Sequence, residues 1–312
     1  MAEGGVTADA RTGRARWIVL TPSADDAAWR SAIAQAVAEA GLRFVDARAP
    51  DGDAADPGCV FLTEDADIAL ANAAESIVAI MPEPETAPDA VAELHGVEPP
   101  SDIWHASLML ARAAALAADH AVVTAADLTP KPACLRLFGE LEIVPPASRA
   151  EASRRVAVAS AFGLYRRLTG PGAEETPWSE RLFLYDPRAA RDWEAPGQLD
   201  ITGRPRILVY GPYFALPPGR WRVRVRFAVD QEAGRREFRM DWGAPSGFTS
   251  VPLKLHKGGV YEVEAEHDWL QSEPAELRIV LMEGVIDGRL DFMGATVTKD
   301  GRQLSLLGAE EQ

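Results

Sequence analysis

The sequence predicts two domains, an α/β layer domain followed by an antiparallel β-sandwich. Its length of 312 residues suits two domains of ordinary size. Up to about residue 170, short apolar runs alternate with amphipathic helical patterns. From about residue 180, apolar residues recur with period two, and Pro, Gly and Asp punctuate the runs. The change of period divides the two predicted domains.

The first domain is predicted over residues 16–170, after a disordered lead over residues 1–15. The predicted strands are 17–21, 42–46, 59–63, 76–81, 121–124 and 135–144, and the predicted helices are about 25–40, 65–74, 102–119 and 149–168. Strands that alternate with helices favour a mostly parallel sheet covered on both faces. Right-handed crossovers leave few topologies, so we expect a three-layer domain of the flavodoxin-like or Rossmann-like kind.

A linker is predicted over residues 171–179, where Gly, Pro and Glu replace the helical pattern. The β-sandwich then covers residues 180–302, and residues 303–312 form a tail. Its predicted strands are 181–185, 206–210, 220–229, 235–242, 259–266, 276–283 and 290–299. Short strands at this spacing are typical of a sandwich or jelly roll.

The composition excludes some partners. The net charge is −15 and the pI is about 4.8, so phosphate-rich nucleic acid and anionic membrane surfaces would be repelled. The apolar stretches are broken by charges before they reach membrane-spanning length. The first 16 residues lack the apolar core of a secretion signal, which predicts a cytoplasmic location. The two cysteines, Cys59 and Cys134, lie in apolar runs typical of buried thiols.

The strand 220–227 carries a stripe of arginines that has two interpretations. Arg220, Arg222, Arg224 and Arg226 alternate with apolar residues and therefore share one face. Arg222 and Arg224 could bind an anionic ligand. Alternatively, the stripe could pair with Glu262, Glu264 and Glu266 of the strand 259–266 in a cross-strand ion-pair ladder.

The segment Ile207–Phe227 reads ILVYGPYFALPPGRWRVRVRF. It resembles the early hairpin of jelly-roll carbohydrate-binding modules of the galactose-binding-like type, in which a strand ends in an aromatic residue and a Leu-Pro-x-Gly turn precedes an aromatic-led strand. The resemblance covers about residues 180–300. It implies a non-catalytic sandwich that presents aromatic rings to a glycan, often on loops at one end and sometimes with a structural calcium ion. We place no calcium loop in this sequence and predict no cofactor.

Several side chains are candidates for a ligand site. A sugar platform needs an exposed ring with polar groups beside it. Tyr210 and Tyr213 lie near a predicted strand end, Asp241 stands next to Trp242, and Trp269 follows an acidic residue. The candidate ligand-binding residues are therefore Tyr210, Tyr213, Asp241, Trp242, Trp269, Arg222 and Arg224. Packing in the core is the alternative role for each aromatic residue.

The α/β half shows no phosphate-binding signature. The turn after the first predicted strand, residues 21–26, has no Gly, so neither a dinucleotide fingerprint nor a P-loop is present. Asp65 and Asp67 resemble the Asp-x-Asp of nucleotide-sugar glycosyltransferases, which implies a metal ion on a diphosphate. Alternatively, these acids belong to the first turn of a helix, where negative charge is favourable. We predict no catalytic residue.

Three functions remain open from the sequence. The first is a non-catalytic binding protein whose sandwich recognises a glycan or another polar ligand, in polysaccharide or cell-envelope synthesis. The second is a divergent glycosyltransferase-like enzyme that uses Asp65 and Asp67. The third is a protein–protein assembly module. Because no catalytic constellation appears, the sequence favours a binding protein over an enzyme.

Overall fold

The structure is a computed structural model, and it describes residues 15–47, 56–72, 76–129, 132–147, 155–167, 175–188 and 197–300. The chain divides into two compact units, Met1–Thr169 and Gly170–Gln312. Most of the predicted lead, part of the predicted linker and the predicted tail lie outside the described residues. The predicted domain bounds stay a prediction. Among the described residues, no helix has the length and apolar character needed to cross a membrane.

The first unit contains a parallel sheet. Its elements are β1 (Arg16–Leu20), α1 (Asp26–Glu39), β2 (Arg43–Asp46), β3 (Cys59–Thr63), α2 (Ala66–Asn72), β4 (Ile77–Met81), α3 (Ala87–His95), α4 (Ser101–Ala115), β5 (Ala121–Thr124), β6 (Leu135–Leu137), β7 (Leu141–Ile143) and α5 (Val156–Phe162). The five parallel strands have the order β2-β3-β1-β4-β5. This order differs from the Rossmann order 3-2-1-4-5 and from the flavodoxin order 2-1-3-4-5.

The core of this unit follows from the strand sequences. β3 and β4 are buried at every position, as expected for strands covered on both faces. Alternate residues of β1, such as Ile18 and Leu20, share one apolar core with Trp29 and Ile33 of α1 and with the hairpin of β6 and β7. α2 lies next to β1 and β3, and α4 lies next to β4.

Three local predictions for this unit need correction. The sequence predicts no element over the proline-containing segment 82–100, yet the segment contains α3, in which Pro88 occupies the first turn. The predicted strand 135–144 is a short hairpin that turns at Phe138 and Gly139, both with positive φ. The predicted helix 149–168 is observed as α5 and a following 3-10 turn from residue 156, and residues 148–154 lie outside the described residues.

The second unit consists of two antiparallel sheets. Its strands are β8 (Thr176–Trp178), β9 (Leu184–Tyr185), β10 (Leu199–Asp200), β11 (Arg206–Leu216), β12 (Gly219–Val229), β13 (Glu237–Ala244), β14 (Gly247–Lys254), β15 (Gly259–Trp269), β16 (Glu273–Leu281) and β17 (Arg289–Lys299). The β13 sheet has the order β14-β13-β16-β11-β9, and the β12 sheet has the order β10-β17-β12-β15, with β8 also paired to β17.

Tryptophans join the two sheets. Trp242 of the β13 sheet contacts Trp178 and Trp269 of the β12 sheet, with ring centroids 6.0 Å and 5.1 Å apart. All three side chains are buried. The two sheets therefore pack face to face as a β-sandwich around an aromatic core.

The segment 207–227 is not a hairpin. β11 pairs with β16 and β9, whereas β12 pairs with β15 and β17, so the two consecutive strands belong to different sheets. The turn Pro217-Pro218 carries the chain from one sheet to the other. Gly219 follows it with φ +141°, a value that L side chains rarely adopt.

The other predicted strands of this unit are observed with shifted ends, except that the segment 181–185 contains a 3-10 turn before β9. β14 was not predicted. It holds Pro252, which is tolerated because β14 is an edge strand with a partner on one side only.

Candidate functional site

The arginine stripe of β12 forms an ion-pair ladder with β15. The register places Arg220 opposite Asp268, Arg222 opposite Glu266 and Arg224 opposite Glu264. The nearest nitrogen–oxygen distances in these pairs are 2.8, 2.7 and 2.7 Å. Hydrogen bonding to Arg220 lowers the pKa of Asp268. The ladder interpretation is confirmed for these pairs, and acidic partners engage both guanidinium groups. Binding of an anion by Arg222 and Arg224 stays a prediction.

Trp242 and Trp269 are also not available to a ligand. Their side chains are 0% and 2% exposed and lie in the core between the sheets. The Trp242 ring nitrogen donates a hydrogen bond to the carbonyl oxygen of Trp221 at 3.2 Å. A sugar platform needs an exposed ring face, so the prediction that these two tryptophans bind ligand is wrong.

The remaining three candidates lie on one surface. In the β13 sheet, Met240 and Ile279 face the core, so their neighbours Asp241 and Arg278 face the other side. Asp241 is opposite Arg278, and Arg278 is opposite Tyr210. On the next strand, Ser250 is opposite Asp241. We call this side of the β13 sheet the polar face, and its residues are Tyr210, Tyr213, Arg239, Asp241, Phe248, Ser250, Glu276 and Arg278.

The first buried carboxylate of the polar face is Asp241. Its side chain is deeply buried, and Arg239 donates to both carboxylate oxygens, at 2.8 and 2.9 Å. The hydroxyl of Ser250 donates to Oδ1 at 2.6 Å. A buried carboxylate needs such donors to offset its lost hydration. The geometry of Asp241 is therefore fixed by two neighbouring side chains.

The second buried carboxylate of the polar face is Glu276, which lies two residues before Arg278 in β16. The hydroxyl of Tyr213 donates to Oε1 at 3.0 Å, and Nη2 of Arg278 donates to Oε2 at 2.6 Å. Burial, followed by the charge of Glu276, raises the pKa of Tyr213. The hydrogen bond with Glu276 raises the pKa of Arg278. Both groups therefore keep their protons at neutral pH and remain hydrogen-bond donors.

Arg278 occupies the centre of the polar face. Its guanidinium carbon lies 4.2 Å from the centroid of the Phe248 ring, which is a cation–π contact. Its Nε is buried and, among the described residues, has no hydrogen-bond partner. A ligand oxygen that reached this nitrogen would supply an acceptor that the protein does not provide.

Backbone geometry shapes one end of the polar face. The pairing of β11 with β16 is irregular between Pro212 and Ala215, and Tyr213 adopts φ +68°, which is uncommon for a residue with a side chain. This irregularity directs the Tyr213 hydroxyl to Glu276. Bulges of this kind redirect side chains at sheet surfaces.

The sequence identified Tyr210, Tyr213 and Asp241 but missed Phe248, Ser250, Glu276, Arg278 and Arg239. The last three were visible as charged residues that alternate with apolar ones in predicted strands, which places them on the face away from the core. Phe248 and Ser250 were missed because β14 was not predicted. All eight residues of the polar face lie in strands β11, β13, β14 and β16 and not on loops at one end of the sandwich.

Asp65 and Asp67 have local roles in the α/β unit. The side chain of Asp65 accepts a hydrogen bond from the backbone nitrogen of Asp67 at 2.8 Å, at the start of α2. Asp67 forms an ion pair with Arg112 at 2.9 Å. Across the described ranges, no three His, Cys, Asp or Glu side chains are grouped so that they could hold a metal ion. This geometry matches the first-turn interpretation of the two acids.

Comparison with known proteins gives structural neighbours only. No protein-family model and no curated protein matches the chain. Among solved structures, the chain is similar to TmCBM61 in complex with beta-1,4-galactotriose (TM-score 0.27, 7% identity, 42% of this chain and 90% of that one). It is also similar to a CBM4 structure, with a TM-score of 0.26 and 11% identity over 33% of this chain and 82% of that one. A third similar structure is the xylan-binding module CBM15, with a TM-score of 0.25 and 11% identity over 34% of this chain and 78% of that one.

Carbohydrate-binding modules recur among the solved structures to which this chain is similar. At these identities and TM-scores, the similarity assigns no ligand to this chain. Any assignment has to rest on the side chains of the polar face.

Proposed function

We propose that the β-sandwich unit is a non-catalytic binding module and that its polar face holds a glycan. The observation that carries this proposal is the arrangement around Arg278. A buried donor at its Nε that lacks a partner among the described residues and two buried carboxylates, Asp241 and Glu276, belong to one sheet surface beside the half-buried ring of Tyr210.

Sugar hydroxyls both donate and accept hydrogen bonds, so they suit a surface that offers both functions. A carboxylate has about four lone-pair sites, and the protein donors to Asp241 and Glu276 leave some of them unused. The side chains are fixed in advance by their mutual hydrogen bonds, which lowers the entropy cost of binding. The ring of Tyr210 can pack against the C–H groups of a sugar.

A binding role is favoured over catalysis because every oxygen of the two carboxylates already accepts a hydrogen bond from a protein side chain. A proton-transfer residue needs a carboxyl oxygen directed at the reacting atom. Three further statements stay predictions from the sequence. They are a role in polysaccharide or cell-envelope synthesis, binding to a protein partner, and a cytoplasmic location.

The test is binding of the full chain to a panel of neutral and acidic polysaccharides, by gel retardation and by calorimetry. We expect Arg278→Ala to weaken binding by about tenfold or more, since hydrogen bonds to charged groups contribute about 1.5–3 kcal/mol. Tyr210→Ala should also weaken binding, because it removes the ring that packs against the C–H groups of the sugar. Arg226→Ala is the matched control, because Arg226 is exposed on the opposite sheet. Absence of binding across the whole panel would refute the proposal.

A further inference from the structure

The edge strand β14 supplies part of the polar face. It carries Phe248, which stacks on Arg278, and Ser250, which bonds Asp241. Among the strands that the structure describes, β14 pairs with β13 on one side and has no neighbour on the other side. A strand with a single partner opens more readily than a central one. The position of Phe248 and Ser250 therefore depends on the side-chain contacts that join β14 to other strands.

Thr249 stands between these two residues, and its side chain leaves the strand on the opposite side. Its Oγ1 lies 3.1 Å from Nδ1 of His267. His267 belongs to β15, which is the edge strand of the β12 sheet. The contact thus joins the two edge strands on the same side of the sandwich, where no backbone pairing connects the sheets.

The imidazole is itself anchored by the aromatic core. It meets the ring of Trp269 edge-on at 4.9 Å, and Trp269 packs against Trp242 at 5.1 Å. A Cβ added to Gly247 would lie 3.9 Å from Cε1 of His267, so the start of β14 passes close to the ring. His267 is therefore a fixed point to which β14 is attached.

A second contact holds the turn before β14. The hydroxyl of Ser246 donates to Oε2 of Glu273 at 2.5 Å, and Glu273 begins β16. This contact restrains the tip of the β13–β14 hairpin, whereas the Thr249–His267 contact restrains the strand between its two ligand-facing residues. The two contacts act at different positions and can be separated by substitution.

We propose that His267 is a positioning residue for the polar face, acting through Thr249 to hold Phe248 against Arg278 and Ser250 against Asp241. This inference rests on the proposed function of the polar face and deepens it. His267 does not touch the ligand. Its effect on affinity passes through the position of β14.

The experiment measures glycan affinity and amide hydrogen exchange on the full chain for His267→Ala, Thr249→Val, the double variant and Thr249→Ser. We expect each of the first two to weaken affinity by about three- to tenfold, the range of one hydrogen bond. The double variant should lose no more than either single one, because both remove the same contact. Thr249→Ser keeps the hydroxyl and should restore wild-type affinity.

Amide exchange supplies a reading that needs no ligand. Exchange at Phe248 and Ser250 should rise in His267→Ala and Thr249→Val, while exchange in β17 stays unchanged. Thr298→Val, on β17 of the other sheet, is the matched control and should alter neither measurement.

Wild-type affinity together with unchanged exchange in the double variant would overturn the inference. So would additive losses of affinity in that variant. If the wild-type chain bound no glycan at all, the proposed function would fail, and the exchange rates alone would decide whether His267 holds β14.

Discussion

Asp241 and Trp242 show how a single residue step decides a role. They are neighbours in β13, and the sequence suggested that they form one polar–aromatic pair. Successive side chains of a strand point to opposite faces, so Asp241 joins the polar face and Trp242 enters the core. The same parity could have been applied to the sequence once 235–242 was taken as a strand. Adjacency in sequence was the wrong criterion for a shared surface.

His267 gives a pH dependence at the residue scale. Burial lowers its pKa, and the nearby charges of Asp268 and Glu273 oppose that change without cancelling it. The unfolded chain, with a pKa near 6.5, therefore takes up the proton before the folded chain does. The associated stability is fully present above that value and is lost as the pH falls towards the lowered pKa.

We expect the free energy of unfolding of the wild type to fall more steeply than that of His267→Gln as the pH drops below about 6.5. Urea unfolding monitored by tryptophan fluorescence at several pH values measures the difference. Equal slopes for the two proteins in this window would contradict the assignment. Asp268 and Glu273, whose pKa values are lowered by hydrogen bonds, act only at more acidic pH.

At the scale of elements, local sequence pattern predicted the strands that alternate regularly. β12 was recognised because four arginines alternate with Trp221, Val223, Val225 and Phe227. β14 and α3 were missed because each contains proline, which a local pattern treats as a breaker. Pro252 is accommodated by the edge position of β14 and Pro88 by the first turn of α3. Both accommodations depend on position within an element or sheet, which a local pattern does not show.

Only some of the cross-strand residue pairs could be predicted from the sequence. The ladder could be predicted because both stripes were regular and opposite in charge. The pairs Asp241–Ser250 and Tyr210–Arg278 could not be predicted, because the strands that supply them meet only after distant segments have paired. The composition of the polar face was therefore only partly visible in the sequence.

The ladder between β12 and β15 leads to a charge-reversal prediction. Arg222→Glu places two acids opposite each other, so it should lower the free energy of unfolding, most strongly at low ionic strength. Adding Glu266→Arg should restore stability, since the pair is then reversed but complete. The measurement is denaturation by urea at low and high salt concentration. The denaturant guanidinium chloride is unsuitable because it is a salt and screens the charges. Failure of the second substitution to rescue the first would count against the ladder.

At the scale of the whole molecule, negative charge is distributed unequally between the two halves of the chain. Residues 1–172 carry 14 basic and 24 acidic residues, a net of −10, and the remainder carries 18 and 23, a net of −5. The polar face itself is balanced, with Arg239 and Arg278 against Asp241 and Glu276. Its selectivity should therefore depend on hydrogen-bond geometry more than on long-range attraction.

The sequence also predicted the class of each half better than its topology. Alternating strands and helices correctly indicated a parallel sheet, because each such strand reads as a continuous apolar run. The order β2-β3-β1-β4-β5 was not predicted, since strand neighbours are chosen by packing between segments that are far apart in the chain. The periodicity of apolar residues shows which face of a strand is buried, but it does not show which strands lie next to each other in the sheet.

The two units have separate aromatic cores, which predicts separable effects of core substitutions. Trp242→Ala should lower the stability of the sandwich unit by about 3–5 kcal/mol and leave amide protection in β1 and β4 unchanged. Trp17→Ala is the reciprocal control, because Trp17 is fully buried against Phe61 in the first unit. Hydrogen exchange resolved by residue measures both. Equal loss of protection in both units from either substitution would show one cooperative structure.

The ladder also sets a rule for how this chain can change over evolutionary time. Each rung joins one position of β12 to one position of β15, as in Arg222 with Glu266. A substitution on one side leaves an unmatched charge, and a second substitution opposite it removes the mismatch. Positions 222 and 266, and likewise 224 and 264, should therefore vary in pairs among related chains, while the polar face on the other sheet diversifies independently.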